Sequence, residues 1–582
     1  MYIYKINIEN FRNFKTFSWK PNPKTNVLFG ANGCGKSNLA AAIALTFSST
    51  GYDSYFETSD YYFGDTTLHI RIQIWLDDID ALATSYSEYL QHIDKDDNFV
   101  ADDTPDHLKP ILIYQLESGA DRHMEWSFYQ QTQQPPCSLS ARKTVNFTYI
   151  DADRQPLKEV GLQTKSTFYK MAHNSIGGEI ERISQEIIQE ANKKLAESGI
   201  ISTYLDTLKS LGKIASIEKY NILLKNPEST WNYSGYELGT SIGNAQLNFS
   251  KQSKGIRSLF LLLLMKEQLK GAGIVFIEEL EQNLEPKYQR YIADEYKRLS
   301  VGQIFITSHS PDIISHFDYQ TISTVSSVTS TPLLSGLDDQ ILKDIQRLNK
   351  KEFLSSLMAD AVLLVEGESE FEAFPIYSYT YDLALSQYDI ELLRVGGKTK
   401  LKSYCQALKH FGKTVHVLID NDTDVKRHLN EISGIADVVF VAQDSYEDLI
   451  LPSANSYISH LHELVDFSVI KDKLLSIESY NAAEHEKPEA KKVEIHDFIK
   501  EHHINIADIN SYEDLLPQKR LLKYVLHDSF ANPYFSRIIA CWITEDGQVP
   551  GFFKALIKHI STDGEKLNAL NGYTNVFALN GD

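Results

Sequence analysis

Gly30-Ala-Asn-Gly-Cys-Gly-Lys36-Ser37 follows a short apolar run, Asn26-Val-Leu-Phe29, and opens onto Lys36-Ser-Asn-Leu-Ala-Ala-Ala-Ile-Ala-Leu45, a helix pattern. The octapeptide matches GxxxxGK[ST] and sits between a strand and a helix, the context this motif demands. There the loop's N–H groups curl around phosphate oxygens and the helix N-terminus adds positive potential. Gly33 and Gly35 supply the loop, Lys36 is placed to reach the β/γ-phosphates, and the Ser37 hydroxyl is placed to ligate Mg²⁺. The stretch puts an ATP-binding α/β unit at the start of the chain.

Around it, Tyr2-Ile-Tyr-Lys-Ile-Asn-Ile8 alternates as a strand, and Leu68, Ile70, Ile72 and Ile74 mark another within Thr67–Asp77. Asp94–Asp97 and Tyr129–Pro136 read as loops. Residues 165–235 change character, with Ile176, Ile180, Ile183 and Ile187 at helical spacing, and are expected to form a helical insertion. Strand and helix signals alternate again over 245–320. A bridge at Arg347–Phe353 leads to a second α/β unit with strands at Ala361–Val365, Thr414–Ile419 and Asp437–Val441. The last 120 residues are expected to be mainly helical, and there is no internal repeat.

Composition bounds these readings. The 582 residues, 42% hydrophobic and 23% charged, suit several globular cores and exclude a disordered, collagenous or coiled-coil chain. A net charge of −21 means that phosphate binding must come from local basic patches, metal ions or backbone amides. Four scattered cysteines (Cys34, Cys137, Cys405, Cys541) exclude a disulfide scaffold and a cysteine zinc site. No signal peptide is visible, and the longest apolar run, Leu259–Met265, is too short to span a bilayer. A soluble, cytoplasmic protein with no membrane role is expected.

A second chemistry-bearing strand end is Gly273-Ile-Val-Phe-Ile277-Glu278-Glu279. Four apolar residues deliver Glu278 to the edge of a buried strand, where it can hold the Mg²⁺ water shell, with Glu279 placed to orient or deprotonate an attacking water. A solvated acidic turn is the plainer reading, and the P-loop disfavours it. His309, in Gln303-Ile-Phe-Ile-Thr-Ser-His309, is either a satisfied polar residue at a strand end or a γ-phosphate sensor. Together with Asn10-Phe-Arg-Asn-Phe14, Asn32 and Asn38, these motifs resemble the ATP-binding-cassette ATPases of the structural-maintenance-of-chromosomes and RecF type over about residues 1–330. The resemblance implies ATP sandwiched between two heads, with Ser253 and Gly255 of Ser253-Lys-Gly255-Ile-Arg257 contacting the partner's nucleotide, hence at least a homodimer. The chain keeps only a serine and one glycine of the usual LSGGQ signature, has Leu280 in place of a common proline, and has Glu285 in place of a common histidine. Hydrolysis is expected to be slow.

In the second half, Val362-Leu-Leu-Val-Glu366-Gly367-Glu-Ser-Glu370 and Val415-His-Val-Leu-Ile-Asp420-Asn-Asp422-Thr-Asp424 are apolar strands ending in acids. Converging at neighbouring strand ends, these carboxylates make a hard-oxygen crevice suited to Mg²⁺ or Mn²⁺ rather than Zn²⁺. Ordinary strand-end turns account for either piece alone. Together they resemble the TOPRIM fold over about 358–455. Between them, Arg394-Val-Gly396-Gly397-Lys398, Lys400 and Lys402 read either as a phosphate-binding strip or as a solvated turn.

An ATP-binding-cassette head followed by TOPRIM resembles the OLD (overcoming lysogenization defect) family of nucleases, which includes Gabija A subunits and retron-associated members. The resemblance implies two-metal phosphodiester cleavage with Glu366, Glu370, Asp420 and Asp422 as ligands, and Asp444 and Glu447 completing the second metal shell. It also implies a transition-state lysine, for which Lys554 in Pro550-Gly-Phe-Phe-Lys is the candidate, although a surface helix explains that residue equally. The expected architecture is an α/β ATPase head (1–164 and 236–345) carrying the insertion (165–235), a Rossmann-like TOPRIM domain (355–455) and a helical C-terminal region completing it (456–582). The expected function is an ATP-regulated, metal-dependent DNA endonuclease or nickase in bacterial anti-phage defence. It would be homo-oligomeric through heads and insertion, and would work with a helicase-like or reverse-transcriptase/non-coding-RNA partner. Two other readings remain: an ATPase-driven DNA clamp with a non-cutting TOPRIM scaffold, and an RNA-targeting toxin-like nuclease.

Overall fold

Ile6 and Ile8 are wholly buried and give the first strand an inward face, while Asn7 and Glu9 are partly exposed, so alternation there produces a half-buried strand. The computed structural model describes residues 1–30, 33–48, 54–79, 85–100, 108–154, 219–224, 236–242, 245–325, 330–332, 339–380, 384–421, 424–442, 445–482, 489–530, 532–562 and 575–578. The chain divides into two compact units, Met1–Ser335 and Gly336–Asp582. That division falls ahead of the expected boundary at 345 and puts the helix Asp339–Arg347 in the second unit.

The first unit runs β1 (Tyr2–Phe11), β2 (Phe14–Trp19), β3 (Thr25–Phe29), β4 (Arg71–Asp77), β5 (Gln91–Ile93), β6 (Lys109–Ser118), β7 (Met124–Phe128) and β8 (Phe147–Ile150). It continues with β9 (Lys219–Leu224), β10 (Tyr236–Ile242), β11 (Ala245–Asn248), β12 (Ile274–Ile277), β13 (Gln303–Thr307), β14 (Ile322–Val325) and β15 (Ser330–Pro332). An antiparallel sheet has the order β2-β1-β4-β6-β5, with β7 on β6. A second sheet has the order β15-β14-β3-β13-β12-β8 and is parallel except at its β15 edge. The helix Lys36–Thr46 lies in one apolar cluster with both sheets: Leu39 and Ile43 pack with Ile72 and Leu112 from the first and Phe276 and Phe305 from the second. Its far end is held by Trp126 Nε1, which donates to the Leu45 carbonyl at 3.3 Å, and Arg142, which donates to the Ser48 carbonyl at 2.8 Å.

Two expectations are corrected here. The chain folds back after β1 into a hairpin partner, β2, a strand between the two expected in the first 30 residues. Within the expected helical insertion, Lys219–Leu224 is a strand, antiparallel to β10, because Tyr-Asn-Ile-Leu-Leu finds a partner in Tyr236–Ser241. The remainder of 165–235 lies outside the described residues.

The second unit is built on β16 (Ala361–Val365), β17 (Ile390–Arg394), β18 (Thr414–Ile419), β19 (Val438–Val441) and β20 (Val576–Ala578), all parallel in the order β17-β16-β18-β19-β20. This is the Rossmann-like sheet, with β17 and β20 added to the three expected strands. Helices Glu368–Thr380, Lys519–Ser529, Pro533–Glu545 and Gly551–Thr562 share one core with it through Phe374, Tyr377, Leu522, Ile539 and Phe553. Among the described residues no helix is long and apolar enough to cross a membrane.

Candidate active sites

In each unit parallel strands deliver their following residues to one edge, where ligands of open α/β sheets bind. In the first unit β13 lies between β3 and β12, so the P-loop after β3, His309 after β13 and Glu278 after β12 meet at neighbouring strand ends. Lys36 is buried, and its ammonium donates to the Gly30 carbonyl at 2.8 Å. Burial lowers its pKa. The His309 ring hydrogen-bonds the backbone of Gly30, and burial followed by the Lys36 charge lowers its pKa, favouring the neutral imidazole. Its backbone N–H donates to Glu281.

Glu278 is 4% exposed. Its Oε2 accepts from the Tyr149 hydroxyl at 3.0 Å, and Ser37 also hydrogen-bonds its carboxylate. Oε1 is buried without a hydrogen-bond partner among the described residues. Burial raises the pKa of this carboxyl. An orphaned carboxylate oxygen beside a serine at a P-loop fits a hard divalent cation, which Ser37 and Glu278 would hold. Glu279 takes the left-handed backbone (φ 40), its N–H donating to Thr307 Oγ1 at 2.9 Å. Arg154, 9% exposed, donates to the carbonyls of both Glu278 and Glu279 and so clamps this turn. Sequence reasoning missed Arg154, whose partners lie more than a hundred residues away. Arg12 ties the hairpin to the nucleotide helix, with Asp60 at 3.0 Å and Asn38 at 3.3 Å. Ser253 caps the helix Lys254–Leu269, accepting from Ile256 N–H at 3.3 Å, with Gly255 in its first turn. Asn32 lies outside the described residues.

In the second unit Glu366 follows β16 and Asp420 follows its neighbour β18, while Glu370 and Glu447 stand in the first turns of the helices Glu368–Thr380 and Tyr446–Ile450. A Cβ at Gly367 would stand 2.6 Å from Glu370 Oε2, so a side chain there would push that carboxylate aside. Glu370 is 5% exposed. Its carboxyl pKa is raised by burial and then by the charges of Glu366 and Glu447. The Asp420 carboxyl is raised by burial and then by Glu370 and Glu366, with Lys398 opposing. Glu370 and Asp420 thus each feel the charges of Glu366 and Glu447. Burying like charges is costly without a cation, and the donor set is all hard oxygen, so these residues fit Mg²⁺ or Mn²⁺. Among the described residues no three of them are already gathered as a ligand cage. Asp422 and Asp444 lie outside the described residues.

Lys398 is not on a solvated turn but buried, its ammonium 3.0 Å from the Asp420 carbonyl and 3.6 Å from Glu366 Oε2. Lys400 and Lys402 are exposed. Lys554 stands on the exposed side of the helix Gly551–Thr562, whereas Lys398 is a lysine whose charge reaches Asp420. A lysine missed in sequence, Lys523, donates to Asp448, next to Glu447, at 2.5 Å. Beside Glu366 opens a cavity of about 430 Å³ lined by Gly367, Arg394, Gly396, Lys400 and Tyr404.

Comparison with known proteins matches the AAA ATPase domain family to residues 1–118 and 126–314, and the TOPRIM domain of overcoming lysogenization defect protein-like chains to residues 357–422. Endonuclease GajA of Bacillus cereus (strain VD045) is 23% identical over 454 residues, covering 72% of this chain and 75% of that one. The DNA replication and repair protein RecF of Lachnoclostridium phytofermentans is 30% identical over 80 residues, 14% of this chain and 22% of that one. Among solved structures, an SMC head bound to the C-winged helix domain of ScpA aligns with a TM-score of 0.38 at 14% identity, over 57% of this chain and 96% of the other.

Proposed function

Because the chain belongs to the AAA ATPase domain family and carries an overcoming lysogenization defect-like TOPRIM domain, we propose that it is an ATP-regulated, metal-dependent DNA endonuclease or nickase. The observation that carries this reading is the placement of Glu366 and Asp420 at the ends of the neighbouring parallel strands β16 and β18, with Glu370 and Glu447 in the first turns of the helices Glu368–Thr380 and Tyr446–Ile450, in a chain that also holds a P-loop. The name of the GajA relative supports the same activity. Glu366, Glu370, Asp420 and Asp422 would hold the divalent ions, with Asp444 and Glu447 extending the set. Bound there, such ions supply positive charge that activates water and stabilises the leaving oxygen. The chain's own part is to orient the carboxylates from a rigid sheet edge. In the first unit Gly33, Gly35, Lys36 and Ser37 would cradle ATP, Glu279 would orient the attacking water, and neutral His309 would face the γ-phosphate. Asn32, and Ser253 and Gly255 in trans, belong to the same proposal. It extends to a homodimer or higher homo-oligomer, a cytoplasmic role in anti-phage defence, and a helicase-like or reverse-transcriptase partner.

The test is supercoiled plasmid incubated with Mn²⁺ or Mg²⁺, with and without ATP. Wild-type protein is expected to nick or linearise it, Asp420→Ala to lose at least ~100-fold of that rate, and Lys36→Ala to lose nucleotide binding and the response to ATP. Intact plasmid with wild type, or undiminished cutting by Asp420→Ala, overturns the reading. RNA degraded in place of DNA overturns the substrate.

A further inference from the structure

The chain that leaves β17 passes through Gly396 (φ 67) and Gly397 (φ 118), two left-handed residues of the kind glycine adopts without strain. They fold the backbone toward the end of β16, where Val395 and Gly396 donate their N–H groups to the carbonyls of Val365 and Glu366 at 2.9 and 3.2 Å. The turn drives the next residue inward. Lys398 is 8% exposed, whereas Lys400 and Lys402, two and four residues on, face solvent. A lysine is almost never so buried unless its charge is matched. Here one ammonium serves two strand ends at once: it donates to the Asp420 carbonyl at 3.0 Å after β18, and stands 3.6 Å from Glu366 Oε2 after β16.

We propose that Lys398 is a positioning residue of the nuclease centre, a resident counter-charge that ties the strand ends bearing Glu366 and Asp420 together and competes with an incoming divalent cation for Glu366. The inference rests on the reading that these acids hold such an ion. An ammonium at ion-pair distance from a ligand oxygen repels a divalent ion approaching the same oxygen, and in a buried setting salt screens that repulsion little. Loading then requires the lysine to yield Glu366 while keeping its hydrogen bond to the Asp420 carbonyl. That hydrogen bond goes to backbone, so the strand-end spacing outlasts the exchange. The lysine sets a threshold on metal occupancy, and hence on the metal concentration at which the centre becomes competent.

The experiment is isothermal titration of full-length, nucleotide-free protein with MnCl₂, using Asp420→Ala to identify the heat of this site, alongside thermal melting in EDTA. Lys398→Met is expected to bind Mn²⁺ at least about fivefold more tightly than wild type, and Lys398→Arg, which keeps the charge, within about twofold. Without metal Lys398→Met melts below wild type, because the acids lose a counter-charge, and Mn²⁺ removes that difference. Unchanged or weaker Mn²⁺ binding by Lys398→Met overturns the proposal, and Lys398→Gln carries the same comparison if the methionine variant does not fold. Mn²⁺ binding with the expected shift, beside uncut plasmid, removes the nuclease reading and leaves Lys398's role standing. Plasmid cutting with no shift does the reverse. Wild-type heat indistinguishable from Asp420→Ala removes both.

Discussion

Asp420 and Glu370 carry the electrostatic tension of the second unit. Both carboxyls are pushed up first by burial and then by neighbouring acids. A folded-state carboxyl raised above its unfolded value binds more protons than the unfolded chain does, so its contribution to stability falls as pH rises from the ordinary carboxylate range through the raised one. Metal-free protein should therefore lose stability over that window. Asp420→Asn, which removes one of the repelling charges, should melt ~3 °C above wild type in EDTA at pH 8, with the difference shrinking toward pH 5. Mn²⁺ should reverse the order by stabilising wild type alone. Differential scanning fluorimetry across pH decides it, and a variant that melts below wild type at pH 8 without metal would contradict the repulsion. The same acids were legible in the sequence because they lie at, or within four residues of, an apolar run that ends in Glu366-Gly367 or Asp420. Lys398 was visible as a residue but not as a partner, since only the turn at Gly396–Gly397 reveals that it points inward.

At the scale of elements, the ATP site is a set of adjacent strand ends fastened from the side. Arg154, just past β8, reaches the carbonyls after β12 and holds the left-handed turn at Glu279. Arg154→Ala should leave ATP affinity within a few-fold of wild type, because Lys36 and the loop are untouched. It should slow ATP turnover by at least ~10-fold, and loss of a charge-assisted buried contact should cost about 2 kcal/mol of stability. Nucleotide-binding titration beside steady-state hydrolysis checks this, and equal loss in both would assign Arg154 to structure alone. The P-loop, the helix it opens and the strands β12, β13, β16 and β18 could be read from sequence because hydrophobic runs and glycine spacing are local signals. β2, β9, β17 and β20 could not. Each is short or edge-lying, and its strand state is decided by a partner elsewhere, as for Val576–Ala578, which joins β19 from far along the chain. The division after Ser335 lies ahead of the expected boundary, so the helix Asp339–Arg347, which the sequence reading kept mostly with the head, falls in the second unit.

For the whole molecule, a charge of −21 requires that any nucleic acid be held at local sites rather than by the overall field. Divalent ions at the acid edge would invert that field where the proposed nuclease centre would take a phosphodiester. Two units then divide the work, one offering a triphosphate cradle and the other a carboxylate edge, each built by the same device of parallel strands ending together. Metal binding at the carboxylate edge is the decisive property. Crystals of the wild-type protein soaked in MnCl₂ and measured at the manganese absorption edge should show an anomalous peak within about 2.2 Å of the Glu366 and Asp420 carboxylate oxygens, absent in Asp420→Ala. Density without a manganese peak among these acids, in crystals that bind manganese elsewhere, would contradict it.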